Sequence, residues 1–122
     1  MNNFKLVPCR KRGSFVIFNH TKFDKDSKYH SRPRRGSNED VKRLRKLFKE
    51  LGFDVFVYQD KTKQETLEIL DKYNVARMRN CEMFAMAILT HGEDHGRLFT
   101  FDHELHLNDY IKPIKMNDTL VG

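Results

Sequence analysis

Only two cysteines occur among the 122 residues, Cys9 and Cys81. Two do not make the disulfide framework of a small secreted domain, so the fold has to stand on apolar burial, and a reducing, cytosolic setting is expected. Long apolar runs are missing too. The longest, Met83 to Leu89, is strand-sized and far short of the roughly 20 residues that span a bilayer, so no membrane partner is expected. Met1 to Gly13 contains no apolar stretch of signal-peptide length, which points the same way. There is no internal repeat and no low-complexity segment. What is present is enough for one modest core: 39% apolar residues and ten Phe in a length that suits one small domain and not two. Wholesale disorder is excluded on the same composition.

Charge is unevenly placed. There are 23 Lys and Arg against 17 Asp and Glu, a formal +6, and the surplus is concentrated. Arg10, Lys11 and Arg12 form a basic segment over residues 1–12; Arg32, Arg34 and Arg35 share one loop; Lys42, Arg43, Arg45, Lys46 and Lys49 sit on one predicted helix. Such an excess favours acidic partners, nucleic acid among them, although a solvated basic surface accounts for most of it.

The order of elements is legible from patterning. Ser14 to Asn19 is a short apolar run of buried-strand type, followed by a polar loop from His20 to Arg35. Ser37 is expected to cap the next helix, with Asp40 three residues on. Val41, Leu44, Leu47, Phe48 and Leu51 recur at spacings of three and four, one face of a helix that Gly52 ends. Phe53 to Tyr58 reads as a strand. Thr62 and Glu65 make a capping box for a second helix carrying Leu67, Leu70 and Tyr73. Met83 to Leu89 reads as a third strand, apolar throughout as a strand covered on both faces should be. Arg97 to Phe101 is expected to form a short hairpin arm, and Leu105 to Ile111 a last helix broken near Pro113. Strand, helix, strand, helix, strand at this spacing predicts an α/β fold with a three-stranded, mostly parallel sheet flanked by helices.

In such sheets ligands sit beyond the carboxyl ends of the strands. That rule gathers His20, Asp60 and His91 at one edge and sends Cys9 and Cys81 to the other. His91 is followed by Gly92, an arrangement that suits a general base beside a backbone N–H able to meet a developing oxyanion.

Further motifs follow in order. Arg12-Gly13 precedes a strand ending Ile17-Phe18-Asn19-His20, with Phe23-Asp24 after it. Then come Arg34-Arg35-Gly36-Ser37-Asn38-Glu39-Asp40, Leu51-Gly52-Phe53-Asp54-Val55 and Asp60-Lys61-Thr62. Ala87-Ile88-Leu89-Thr90-His91-Gly92-Glu93, Gly96 and Thr119-Leu120-Val121-Gly122 complete the series. From Gly13 to Gly122 this series resembles the large-subunit portion of the caspase catalytic domain, nearest to the insect executioner caspases. The resemblance implies residues 13–122 as an incomplete caspase large-subunit domain, with His91 as the catalytic imidazole and Gly92 as an oxyanion donor. It also implies Arg34 as the residue that grips the substrate aspartate, where a guanidinium clamps a carboxylate through paired hydrogen bonds. Arg35 is the competing choice if the loop is shifted by one.

The family's nucleophile stands in Gln-Ala-Cys-x-Gly about 50 residues after the histidine. No such motif occurs here. Cys9 lies in Pro8-Cys9-Arg10 and Cys81 in Asn80-Cys81-Glu82, and Cys81 and His91 bracket one strand, roughly 30 Å apart at about 3.3 Å per residue. The chain is therefore expected not to cleave peptides by itself, and to act in apoptosis as an inactive decoy or regulator of caspases. The alternative is a fragment of an active aspartate-directed cysteine endopeptidase. With no further strand beside it, Met83 to Leu89 is expected to be an apolar edge that pairs with a caspase or a second copy. Met1 stands close to the first strand, so no long recruitment domain is expected before it.

No metal or other cofactor is expected. His91 and His95 are four apart, but a helical zinc site needs Glu where Gly92 stands, and His103 with His106 brings no carboxylate cluster. A nucleic-acid-binding basic module is the reading from another class, without a helix-turn-helix, RNP-type strand or zinc finger to support it.

Overall fold

The computed structural model describes residues 13–73 and 83–113. Cys9, Cys81, the basic N-terminal segment and the Thr119–Gly122 motif lie outside them. The elements run β1 (Gly13–Asn19), α1 (Ser37–Glu50), β2 (Phe53–Gln59), α2 (Lys63–Lys72), β3 (Met83–Leu89), β4 (Gly92–Glu93), β5 (Arg97–Phe99), β6 (Glu104–His106) and α3 (Leu107–Ile111). The first three strands form a parallel sheet in the order β2-β1-β3. The last three form a small antiparallel sheet in the order β4-β5-β6.

β1 is central, and every one of its residues is buried. Side chains alternate between the faces, as the two-residue period of a strand requires. Phe15 and Ile17 face α1 and pack with Val41, Phe53 and Phe48; the Phe15 and Phe48 rings stack with centroids 3.7 Å apart. Val16 and Phe18 face the other way, onto Ile69, Leu70 and Tyr73 at α2, with Leu105 and Tyr110 beyond. The sheet is thus a middle layer with helices on both sides. Gly13 opens β1 at φ +115, and a Cβ there would lie 1.7 Å from the Met83 carbonyl oxygen. Only glycine permits that approach of β1 to β3.

Helix α1 departs from the expected cap. Gly36, at φ 77, occupies the N-cap position, no side chain caps the helix, and Ser37 is its first residue. The Ser37 hydroxyl is drawn away because it donates to Asn19 Oδ1 and accepts from Arg34. The C-terminal expectation holds, since Leu51 is the C-cap and Gly52 follows at φ 94. The capping box at α2 is present in both halves, Thr62 Oγ1 taking the Glu65 N–H and Glu65 taking the Thr62 N–H.

The last predicted helix needs correction at its start. Glu104–His106 is a strand paired with β5, and the helix begins only at Leu107, capped by the His106 ring, which accepts from the Asn108 N–H. Leu105 is 2% exposed and packs into the main core from this strand. The hairpin arm is likewise larger than Arg97 to Phe101, because Gly92–Glu93 and Glu104–His106 flank it. β3 has both faces half-covered, and Met83 is its exposed residue. It is an edge of the parallel sheet among the described residues.

The two leucines of α2 test the assignment of its faces, because Leu70 is fully buried and Leu67 is 38% exposed. Leu70→Ala is expected to cost about 2–5 kcal/mol in urea unfolding, and Leu67→Ala about 1 kcal/mol or less. Equal losses would mean that α2 does not bury the face described.

Candidate active site

Because β1 pairs in register with both neighbours, Asn19, Gln59 and Leu89 stand in one row across the sheet. The next residue of each strand leaves the sheet at the same level, which is where a parallel sheet presents its ligand crevice. His20, Asp60 and Thr90 begin the three exits.

Asp60 organises the first of them. It adopts φ 49, and its carboxylate accepts from the Thr21 N–H at 2.7 Å, the Lys22 N–H at 3.1 Å and the Thr21 hydroxyl at 3.2 Å. Burial is the largest single influence on this carboxyl and pushes its pKa up. The hydrogen bonds from Lys22, Thr21 and Gln59 together outweigh it, so the group sits below the ordinary aspartate value and stays charged. The loop from His20 onward is thereby tied to β2, and the Asp24 N–H ties it further to the Phe101 carbonyl at 2.8 Å.

The loop returns through Tyr29, Arg32 and Arg34. The Arg34 N–H bonds the Thr21 carbonyl at 2.9 Å. Its Nη1 donates to the His20 carbonyl at 2.9 Å and to Ser37 Oγ at 3.1 Å. Burial lowers the Arg34 pKa somewhat, yet a guanidinium stays cationic. A recess of about 440 Å³ opens here, lined by Lys22, Arg34, Arg35 and Ser37 among others. Arg34 is half-buried in it and Arg35 is exposed.

His91 follows Thr90, whose hydroxyl turns the chain by donating to the Phe99 carbonyl at 2.5 Å. The imidazole Nε2 lies 2.7 Å from the Arg32 carbonyl oxygen. A carbonyl can only accept, so Nε2 carries the proton, and the neutral ring has its lone pair on Nδ1. Among the described residues nothing bonds Nδ1. The ring stacks on Tyr29 at 4.4 Å and 19° and lies 5.2 Å from Phe23. Tyr29 in turn donates its hydroxyl to Glu93 at 2.6 Å, and Glu93 also pairs with Lys28 and Arg97. Gly92 is exposed directly after the imidazole, and a Cβ there would meet Leu98 Cδ2 at 3.3 Å. One loop therefore orients the imidazole through the Arg32 carbonyl and carries a half-buried guanidinium two residues on, at Arg34.

A family model described as the caspase domain matches residues 12–122 of the sequence. The chain belongs to the caspase family. It is 36% identical over 100 residues to caspase-1 of Drosophila melanogaster, covering 82% of this chain and 30% of that protein. Caspase-8 of Rattus norvegicus is 31% identical over 97 residues, with 75% and 20% covered. Caspase-7 of Gallus gallus is 29% identical over 116 residues, with 93% and 36% covered. The solved structure of pro-sf-caspase-1 superposes with a TM-score of 0.74 at 28% identity, over 85% of this chain and 43% of that one. The chain thus spans 20–36% of the length of these curated relatives. Among the described residues no helix is long and apolar enough to cross a membrane.

The structure brings Arg34, His91 and Gly92 to one edge of the sheet and separates half-buried Arg34 from exposed Arg35. Three further groups hold this edge together that residue type alone does not mark. Arg32 acts through its carbonyl, a group every residue has. Tyr29 has no pattern to single it out. Glu93 does stand in the His-Gly-Glu motif, and its place as the acceptor for Tyr29 gives that motif's third residue a use.

His20 stands at the edge where the sheet rule places it. It is fully buried, and neither ring nitrogen finds a hydrogen-bond partner. Burial, the largest cause, brings its pKa down to about 4; Asp60 opposes this and Arg34 adds to it. The folded state thus binds one proton fewer than the unfolded state from the ordinary histidine value of 6.5 down to about 4. Stability is present above that window and lost as pH falls through it, with a slope near 1.4 kcal/mol per pH unit. His20→Met, which leaves no ring to protonate, is expected to flatten denaturation midpoints between those two pH values. A slope unchanged in the variant would mean that other groups carry the acid sensitivity.

Proposed function

We propose that this chain carries the base and the substrate-anchoring half of an aspartate-directed cysteine endopeptidase site of apoptosis, and that these residues alone are catalytically silent. The observation that carries the reading is the 2.7 Å bond from His91 Nε2 to the Arg32 carbonyl. It orients the imidazole and leaves Nδ1 free on the loop that also holds Arg34. In this reading Nδ1 takes the proton of an attacking thiol, while Nε2–H stays on the Arg32 carbonyl and steadies the imidazolium. The same proton then passes from Nδ1 to the leaving amine. The Gly92 N–H meets the developing oxyanion, and Arg34 holds the carboxylate of the residue before the scissile bond. The thiol has to come from other residues, since neither cysteine lies in the Gln-Ala-Cys-x-Gly sequence.

A role in regulating caspases is part of this proposal, and what supports it is the apolar edge β3. Exposed apolar edges pair with other strands. The chain is expected to associate through Met83–Leu89 with a caspase or with itself. Sedimentation over a dilution series should show the association, and a stable monomer throughout would remove this part of the proposal.

A fluorogenic aspartyl peptide offered to the 122-residue chain should show no turnover above the blank. Turnover abolished by Cys9→Ser or Cys81→Ser would overturn the claim of silence. Added to a separately produced caspase segment bearing Gln-Ala-Cys-x-Gly, the chain should restore cleavage after aspartate. His91→Ala should abolish it, and Arg34→Ala should lower kcat/KM on the order of 100-fold, the worth of a charge-assisted pair of hydrogen bonds. Restored activity that survives His91→Ala would exclude the imidazole as the base.

A further inference from the structure

Arg34 can offer a carboxylate either of two paired edges, end-on through Nη1 and Nη2 or side-on through Nε and Nη2. The protein has already used one of them. Nη1 has two protons, and both have acceptors: the His20 carbonyl at 2.9 Å and Ser37 Oγ at 3.1 Å. Among the described residues nothing bonds Nε or Nη2.

The second of these acceptors is itself held in one orientation. Ser37, 2% exposed, donates its hydroxyl proton to Asn19 Oδ1, which turns an oxygen lone pair toward Arg34. Asn19, fully buried, cannot reverse its amide without loss, because its Nδ2 donates to Gln59 Oε1 at 2.9 Å and to Asn38 Oδ1 at 3.3 Å. The Gln59 amide is fixed at its other end by Thr21 Oγ1 at 3.0 Å and Asp60 Oδ2 at 3.2 Å. Each amide and hydroxyl in the series has its donor and acceptor roles set by the next, and the series ends on a carboxylate that can only accept.

We infer that Arg34 meets its carboxylate ligand side-on, through Nε and Nη2, and that Ser37, backed by Asn19, is the positioning residue that reserves this edge. The inference deepens the proposed function, on which its ligand rests; the hold on Nη1 stands apart from that reading. A loop tether with no bearing on ligand would need Arg34 fixed somewhere, but it would not need one edge saturated and the other left bare.

The test is ¹⁵N NMR of the labelled 122-residue chain at low temperature, with Arg34 signals assigned by their loss in Arg34→Lys. In the free protein the Nη1 and Nη2 protons should be distinct, with slow rotation about Cζ–Nε. Ser37→Ala should speed that rotation at least tenfold with amide shifts elsewhere unchanged, and Ser37→Thr, which keeps the hydroxyl, should restore it. N-acetyl-aspartyl-methylamide at millimolar concentration should then move the Nε and Nη2 protons and leave Nη1 in place, while the asparaginyl analogue should move neither. Free rotation in the wild-type chain, or shifts at Nη1 and Nη2 without Nε, would overturn the inference. Both readings use wild-type protein, so they decide the matter even if Ser37→Ala does not fold. A locked Nη1 with no shift on adding the aspartyl probe would instead sink the carboxylate reading of Arg34 and leave the hold on Nη1 standing.

Discussion

β1 is hydrogen-bonded along both sides, and its register with β2 and with β3 is the same, so three separate segments finish in one row at Asn19, Gln59 and Leu89. Everything at the candidate site is measured from that row. Asp60 reaches Thr21 and Lys22 because β2 and β1 end together. The His20 N–H bonds the Leu89 carbonyl at 2.8 Å because β3 ends with them. A slip of one residue in either pairing would turn Phe15 and Ile17 against the partner residues of the opposite face and would move these exits apart by about 3.3 Å. The core therefore does more than stabilise the domain. By requiring alternate faces to be dry, it sets the level at which polar groups emerge.

Upon that level the loop from His20 to Arg35 is tied at successive points. Asp60 takes its beginning, Phe101 takes Asp24, Glu93 takes Lys28 and Tyr29, and Thr21, His20 and Ser37 take Arg34. Fixing each backbone residue costs about 1–2 kcal/mol in conformational entropy. Ties to charged acceptors such as Asp60 and Glu93 are the stronger kind and offset more of that cost. Lys28, first among the causes, and Tyr29 hold the Glu93 carboxyl below its ordinary pKa, as Asp60 is held by the loop. Two carboxylates, one at the start of the loop and one at its middle, thus share one task.

Much of this was legible in the sequence. The three parallel strands follow from apolar runs and helical spacing, and the sheet rule gathered His20, Asp60 and His91 without reference to any family. What escaped has a common cause. Ser37 has the residue type of a cap, but a buried asparagine and an arginine compete for its hydroxyl, and Gly36 takes the cap position in a conformation that needs no side chain. Leu105 and His106 read as the start of the last helix, yet pairing with β5 and burial of Leu105 outweigh that pattern. The Arg32 carbonyl cannot be read from any one-letter code. Local pattern failed where a partner outside the predicted element took the same group.

The basic surplus is resolved by the same comparison. Lys42, Arg43, Arg45, Lys46 and Lys49 stand in water on the outer side of α1, while Val41, Leu44 and Phe48 face the sheet. Arg32 and Arg35 are exposed as well, and Arg34 between them is half-buried with one nitrogen saturated. Charge in water is screened and cheaply moved. A guanidinium held by a carbonyl and an oriented hydroxyl has already lost its freedom before any ligand arrives, and the same is true of the imidazole on the Arg32 carbonyl. Geometry fixed in advance is what lowers the entropic cost of binding and of reaction. Since Arg32 and Arg34 lie on one strap, whatever displaces that strap moves imidazole and guanidinium together. Imidazole and guanidinium are in that sense a single mechanical unit, held at Asp60 and Glu93 as well as through the bonds of Arg34 itself.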